Sequence, residues 1–259
     1  MASPTEGRRL AAQAEDLIAR DLSGPPTADQ RAAIDARANT ALSLYPALKP
    51  IADRYGVSVV DLMALHTVET RGKGDPMGRT SPAGATGPFQ ITPITRKQYP
   101  VTQTYGTTFE TDADIAAQHL AAAKKAGFST FGGQALTYTA GMEGVKRWGG
   151  GGPSRVGQDS REYVPMAVYA KQTIEAKLPD YVKQLEREQK KAAADAGMKA
   201  FKESPYEKPH TDYRMFAGPL GTSTAEAEAA RQARNEARDR AMAEAAAVPQ
   251  TPYVQYGYK

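Results

Sequence analysis

The sequence predicts a mainly α-helical protein, and three observations carry that expectation. Alanine, glutamate, arginine, lysine and glutamine, residues that favour helix, recur in blocks. Strict alternation of valine, isoleucine and threonine, the mark of a half-buried strand, is nearly absent. Apolar residues recur three and four positions apart between recognisable start and stop signals. With 259 residues, 41% of them hydrophobic, the chain suffices for one good-sized domain plus extensions.

Residues 1–48 read as an N-terminal helical segment. One helix spans roughly residues 5 to 22 and stops at Ser23-Gly24-Pro25-Pro26; a second starts behind a capping box of Thr27 and Gln30 and runs to about Leu44, closed by Tyr45-Pro46 and Lys49-Pro50. The next helix is expected to start with Ser58 capping the amide of Asp61 while Asp61 reaches back, and to end at Gly72 and Gly74. Residues 71–92, rich in Gly, Pro, Ser and Thr, read as a long loop, a kind of segment that usually serves function. Then come a short helix begun by Thr92-Pro93, one from Thr111 to about Ala126, one near residues 133–140 and one from Ser160 to Leu178, the last two separated by the glycine run Gly149 to Gly152. Residues 49–179 thus form the expected central domain, and 180–259 a charged tail whose stretch TSTAEAEAARQARNEARDRAMAEAAA would make a helix of about 35 to 40 Å.

Composition narrows the chemistry. Without cysteine there is neither a disulfide framework nor a thiolate metal site, and His66, His119 and His210 are scattered, so no metal or other cofactor is expected. The net charge of +4 and pI near 9.1 favour an anionic partner but are spread along the chain. The basic stretch KQLEREQKK alternates with glutamate, as solvated helix faces do, so nucleic acid is not an expected partner. No run of eighteen apolar residues and no apolar core behind the basic N-terminal residues is present, so neither a membrane span nor a signal peptide is expected.

The most informative side chain is Glu69. Leu62, Leu65, His66 and Glu69 are spaced to share one helix face, which places a carboxyl group at the end of an apolar stripe. Desolvation there would disfavour the charged form and suit the group to act as a general acid near neutral pH. His66, one turn back, is expected to bond within the core rather than to join the chemistry.

The segments around Glu69 resemble a known family. Val68-Glu69-Thr70, Ser81-Pro82-Ala83-Gly84-Ala85-Thr86-Gly87-Pro88-Phe89-Gln90 with Ile91-Thr92-Pro93, Ala135-Leu136-Thr137-Tyr138-Thr139-Ala140-Gly141 and Ser160-Arg161-Glu162-Tyr163-Val164-Pro165 follow in the order and spacing of the soluble lytic transglycosylases. Those enzymes share a lysozyme-like fold with goose-type lysozyme and cut glycan strands between N-acetylmuramic acid and N-acetylglucosamine; the resemblance spans about residues 50 to 175. It implies a lysozyme-like helical domain with helical N- and C-terminal extensions. It also implies that Glu69 is the catalytic acid, that Tyr163 places a hydroxyl beside it, and that Gln90, Tyr138 and Thr139 line the sugar groove. Thr70 replaces serine, Pro88-Phe89 replaces leucine-methionine, and Thr139 stands where asparagine is expected, which puts one substrate hydrogen bond in doubt.

A glycosidase that activates water or forms a covalent intermediate needs a second carboxylate at a set distance. No such residue is obvious; Asp75, in the glycine-rich loop, reads as a turn or solvent-facing residue. The resemblance implies that the product is a 1,6-anhydro sugar, formed by attack of the muramic acid C6 hydroxyl, and the lack of a second carboxylate fits that chemistry. Since no export signal is read, the expected setting is a bacteriophage virion, acting in the host periplasm on peptidoglycan glycan strands. Residues 180–259 would then dock onto other virion proteins of the tail or internal core. The competing expectation is a phage structural or ejection protein whose domain binds glycan without cutting it efficiently.

Overall fold

The computed structural model describes residues 3–70, 80–101, 103–152 and 156–203, together with Gln232 and Glu236. The described residues are mainly α-helical, with no β-strand; the one β-type feature is an isolated antiparallel bridge between Thr86 and Ile91. The helices are α1 (Pro4–Asp21), α2 (Ala28–Ser43), α3 (Tyr45–Tyr55), α4 (Val59–Glu69), α5 (Pro93–Gln98), α6 (Thr108–Lys125), α7 (Phe131–Ala140), α8 (Met142–Gly149) and α9 (Gln158–Glu203). None of them is long and apolar enough to cross a membrane. The chain divides into a unit of residues Met1–Tyr181 and a second of Val182–Lys259.

Several helix starts follow the sequence. Thr27 accepts from the Gln30 amide at 3.2 Å while the Gln30 side chain accepts from the Thr27 amide at 2.9 Å, a complete capping box. Thr92 caps α5 through the Thr95 amide at 3.1 Å, with Pro93 in the first turn. α6 starts earlier than Thr111, capped by Thr107, and α7 starts at Phe131 behind Thr130.

Other expectations are corrected. Ser58 is the N-cap of α4 but its side chain makes no capping bond. Asp61, expected to complete that box, instead receives a hydrogen bond from Lys171 of α9 at 2.6 Å, and Lys171 also meets Glu175 at 2.9 Å. Burial pushes the Asp61 carboxyl above its ordinary value, and Lys171 opposes that shift. The chain does not stop at Tyr45-Pro46 and Lys49-Pro50, because α3 takes in both prolines: Pro46 lies in the first turn, where no intrahelical amide is needed. α3 ends at Gly56 in the left-handed conformation, φ 63°. α8 fills the span before the glycine run, separated from α7 by Gly141 alone. α9 does not end at Leu178; it continues through Pro179, where the side chain is exposed and the carbonyl freed on Glu175 can be hydrated.

The first unit has two apolar clusters. The larger gathers α2, α3, α4, α6 and α9 around α4, whose residues Val60 to Val68 are all buried. A helix covered on every side is a central element, and complete burial of Leu62, Met63 and Leu65 contributes about 1.5–3 kcal/mol for each side chain. The smaller cluster joins Ala11, Ala14 and Ile18 of α1 to Leu136 of α7, Val145 of α8 and Val164 of α9. Here α1 also performs a capping role for α7: Glu15 accepts from the Thr130 amide at 2.6 Å, the Thr130 hydroxyl at 2.9 Å and the Ser129 hydroxyl at 2.7 Å. A carboxylate at that helix start meets unpaired amides and the positive end of the helix dipole.

In the second unit, α9 carries its charged residues outward; every residue from Glu186 to Lys199 is exposed. The alanine-rich helix expected further on lies outside the described residues except for Gln232 and Glu236, both helical. The tyrosine-rich end lies outside them as well.

Candidate active site

Glu69 is the last residue of α4 and is half-buried, so the most enclosed helix of the molecule delivers a carboxyl group to its own open end. Thr70 closes the helix: its amide and its hydroxyl both donate to the His66 carbonyl, at 2.9 and 2.7 Å. The His66 ring lies edge-on to Phe89 and Phe109, with centroids at 5.5 and 5.8 Å. Burial lowers its pKa to about 4, so at neutral pH it is an uncharged packing residue.

Phe89, which the His66 ring meets, belongs to the loop that the sequence marked as functional. Thr86 and Ile91 exchange backbone hydrogen bonds at 3.1 and 2.9 Å, which pinches Gly87 to Gln90 into a tight turn. The Gly87 carbonyl accepts from the Gln90 amide and from Gln90 Nε2, both at 3.0 Å. Gln90 has φ 48°, the one positive value at a non-glycine among the described residues. Such a conformation is disfavoured for a side chain with a Cβ and persists where the surroundings enforce it. Phe89, fully buried, supplies that enforcement by packing on His66 and Phe109.

Tyr138 of α7 ties the third side of the site. Its hydroxyl donates to the Phe89 carbonyl at 2.7 Å, and its ring meets His119 edge-on at 5.2 Å. His119 is 3.2 Å from the Thr137 hydroxyl, and burial lowers its pKa to about 4 despite that contact. Burial raises the Tyr138 phenol well above its usual range, the Glu69 and Asp112 carboxylates raise it further, and Arg96 opposes them. Tyr138 is therefore bonded to the turn carrying Gln90, and its phenol feels the Glu69 carboxylate.

Thr139 and Tyr163 lie on α7 and α9. Thr139 is exposed, with its hydroxyl donating to the Leu136 carbonyl at 3.2 Å. Tyr163 is 5% exposed and belongs to the larger apolar cluster with Val68 and Met166. Asp75 lies outside the described residues. A shallow cleft of about 200 Å³ is lined by Asp29, Gln30, Ala33, Ile34, Val68 and Met166, so its wall includes the neighbour of Glu69 but neither Gln90 nor Tyr138.

Sequence reasoning missed Asp112 and Arg96. Asp112 of α6 is completely buried, with Oδ1 2.7 Å from Arg96 Nη1 of α5. Its Oδ2 lies so close to the turn that a Cβ added at Gly87 would stand 2.0 Å from it, and Gly87 has φ +77°. Glycine is required there on both counts. Acidic residues seldom occupy a buried helix face without a partner, and Arg96 is that partner, sixteen positions earlier in the sequence. Among the described residues, no group of three or more His, Asp or Glu is placed to hold a metal ion. No family model, curated protein or solved structure matches the chain.

Proposed function

We propose that this protein is a peptidoglycan lytic transglycosylase with a lysozyme-like domain, in which Glu69 is the catalytic acid and base. The observation that carries the reading is the convergence of three separated segments: the half-buried Glu69 at the open end of α4, the Gly87–Gln90 turn, and Tyr138, which bonds the turn and feels the charge of Glu69. These are three of the four segments on which the family resemblance rests.

In the proposed reaction Glu69 gives its proton to the glycosidic oxygen as the bond to the muramic acid anomeric carbon breaks. The carboxylate then takes the proton of the C6 hydroxyl as that oxygen attacks the same carbon. The product is a 1,6-anhydro sugar, and no water is consumed. The burial of Asp112 supports this route, since a carboxylate enclosed beneath the turn and paired with Arg96 has no access to a water on the far side of the sugar. Gln90 and Tyr138 border the groove, and an aromatic wall with an amide suits a pyranose ring and its N-acetyl group.

We place the enzyme in a phage particle, opening wall locally as the genome enters, with residues 180–259 as the attachment to other virion proteins. The exposed charged face of Glu186 to Lys199 is compatible with such a role. One observation favours the second reading, glycan binding with little cleavage: the Thr139 hydroxyl is turned back onto the Leu136 carbonyl, where the family uses an asparagine.

Mass spectrometry of the fragments released from purified peptidoglycan decides between them. Anhydro ends from the wild type and none from Glu69→Gln are expected, because glutamine keeps the shape and removes the transferable proton. Hydrated reducing ends would instead mean a lysozyme using another carboxylate, and no release would leave the binding reading.

A further inference from the structure

We infer that the buried Asp112–Arg96 pair is a positioning device for the reacting carboxyl: it seats the Gly87 turn from below and holds a balanced pair of charges behind Tyr138. This rests on Glu69 being the acid, as proposed above.

The geometry argues for more than packing. Asp112 is fully buried, yet only Oδ1 is engaged, by Arg96; Oδ2 accepts no hydrogen bond from the described residues and faces the Gly87 backbone. An under-satisfied buried carboxylate is costly, and a fold needing only a spacer there would do better with an apolar side chain. The pair also grips both sides of the turn, since Arg96 Nη2 reaches the Thr86 hydroxyl at 3.4 Å, next to the bridge with Ile91. From Gly87 the link runs through its carbonyl to Gln90, and from Phe89 through its carbonyl to the Tyr138 hydroxyl.

Among the described residues, the charges acting on the Tyr138 phenol are few. His66 of α4 and His119 of α6 are neutral down to about pH 4 through burial. Tyr138 of α7 is kept protonated, and Tyr163 of α9 is a buried phenol. Near neutrality this leaves Glu69, Asp112 and Arg96, among the described residues, as the groups that set the local field. Asp112 and Arg96 act on the Tyr138 phenol with opposite signs, Glu69 acting on it with the same sign as Asp112; on the proposal their charges bear on Glu69 in the same opposed way.

The test is the pH dependence of kcat and KM on soluble, uncross-linked glycan strands. Asp112→Asn keeps the shape and leaves Arg96 unbalanced, which favours the Glu69 carboxylate. The alkaline limb of the kcat profile should move down by about half to one pH unit, with kcat falling about tenfold and KM changing less than about threefold. Arg96→Gln should move the same limb up, and the double variant should return it towards the wild-type position. A limb that stays in place in a folded Asp112→Asn protein, or moves the same way in both single variants, overturns the inference. Should Asp112→Asn fail to fold, Arg96→Lys stands in: a wild-type limb restored by lysine but not by glutamine supports the pair as a charge device, and equal behaviour of the two overturns it. A wild type that releases no anhydro product would defeat the reading of Glu69 instead, so the two failures are distinct.

Discussion

Two aspartates two positions apart on α6 live in opposite surroundings. Asp114 accepts from the Tyr55 hydroxyl at 2.7 Å, Gln118 Nε2 at 2.7 Å and Arg54 Nη1 at 3.1 Å, and from the Tyr105 hydroxyl. Burial pushes its carboxyl up, but the hydrogen bonds from Tyr105, Tyr55 and Gln118 and the Arg54 charge outweigh burial and hold it below the ordinary aspartate value. Asp112 has the single ion pair with Arg96, which does not offset burial, so its carboxyl stays raised. The difference separates two uses of a buried charge: Asp114 fastens α3 and the segment around Tyr105 to α6, whereas Asp112 is held under-satisfied against the Gly87 turn.

The largest effect should come from breaking the satisfied member. Asp114→Ala leaves two tyrosines, an amide and an arginine without their acceptor and should cost about 3 kcal/mol, read as a lower urea midpoint at unchanged slope. Gly87→Ala comes next. It places a Cβ 2.0 Å from Asp112 Oδ2 at φ +77°, so the turn must shift; a loss of about 1–3 kcal/mol is expected, together with loss of the proposed glycan cleavage.

Asp112→Asn should be the mildest, within about 1 kcal/mol of wild type at pH 7. Its pH dependence sharpens the contrast. A carboxyl raised in the folded state destabilises the fold above the ordinary aspartate value, and that cost fades as pH falls. The asparagine variant should therefore gain relative to wild type as pH rises from about 4 to about 7. Asp114, with its pKa lowered, contributes stability above the unfolded value that is lost as pH falls through the folded one, so Asp114→Asn should lose most at neutral pH and least in acid. Denaturant titrations at the two pH values check both signs.

Much of this was legible along the chain. The helical class follows from composition and spacing, and the caps at Thr27 and Thr92 from local chemistry alone. The proposal of Glu69, the turn and Tyr138 as one site rests on the order of their segments, which resembles that of a known family. α3 and α8 were hidden because proline and glycine read as breakers, although Pro46 sits where no amide is required and one glycine suffices between α7 and α8. Asp61 looked like a capping residue because its partner, Lys171, is distant in sequence. The Asp112–Arg96 pair was illegible for the same reason: only the tertiary fold of α5 and α6 against the turn makes them neighbours.

The reach of Glu15 to the start of α7 bears on how portable this domain is. The helix that holds Tyr138 is anchored at its first residues by a carboxylate supplied from α1, far upstream of the segments that resemble the enzyme family. A fragment trimmed to those segments would carry every proposed groove residue and still begin α7 without its anchor. Recombinant boundaries, fusions or natural domain exchanges that discard the first helix would therefore be expected to move Tyr138 relative to Glu69.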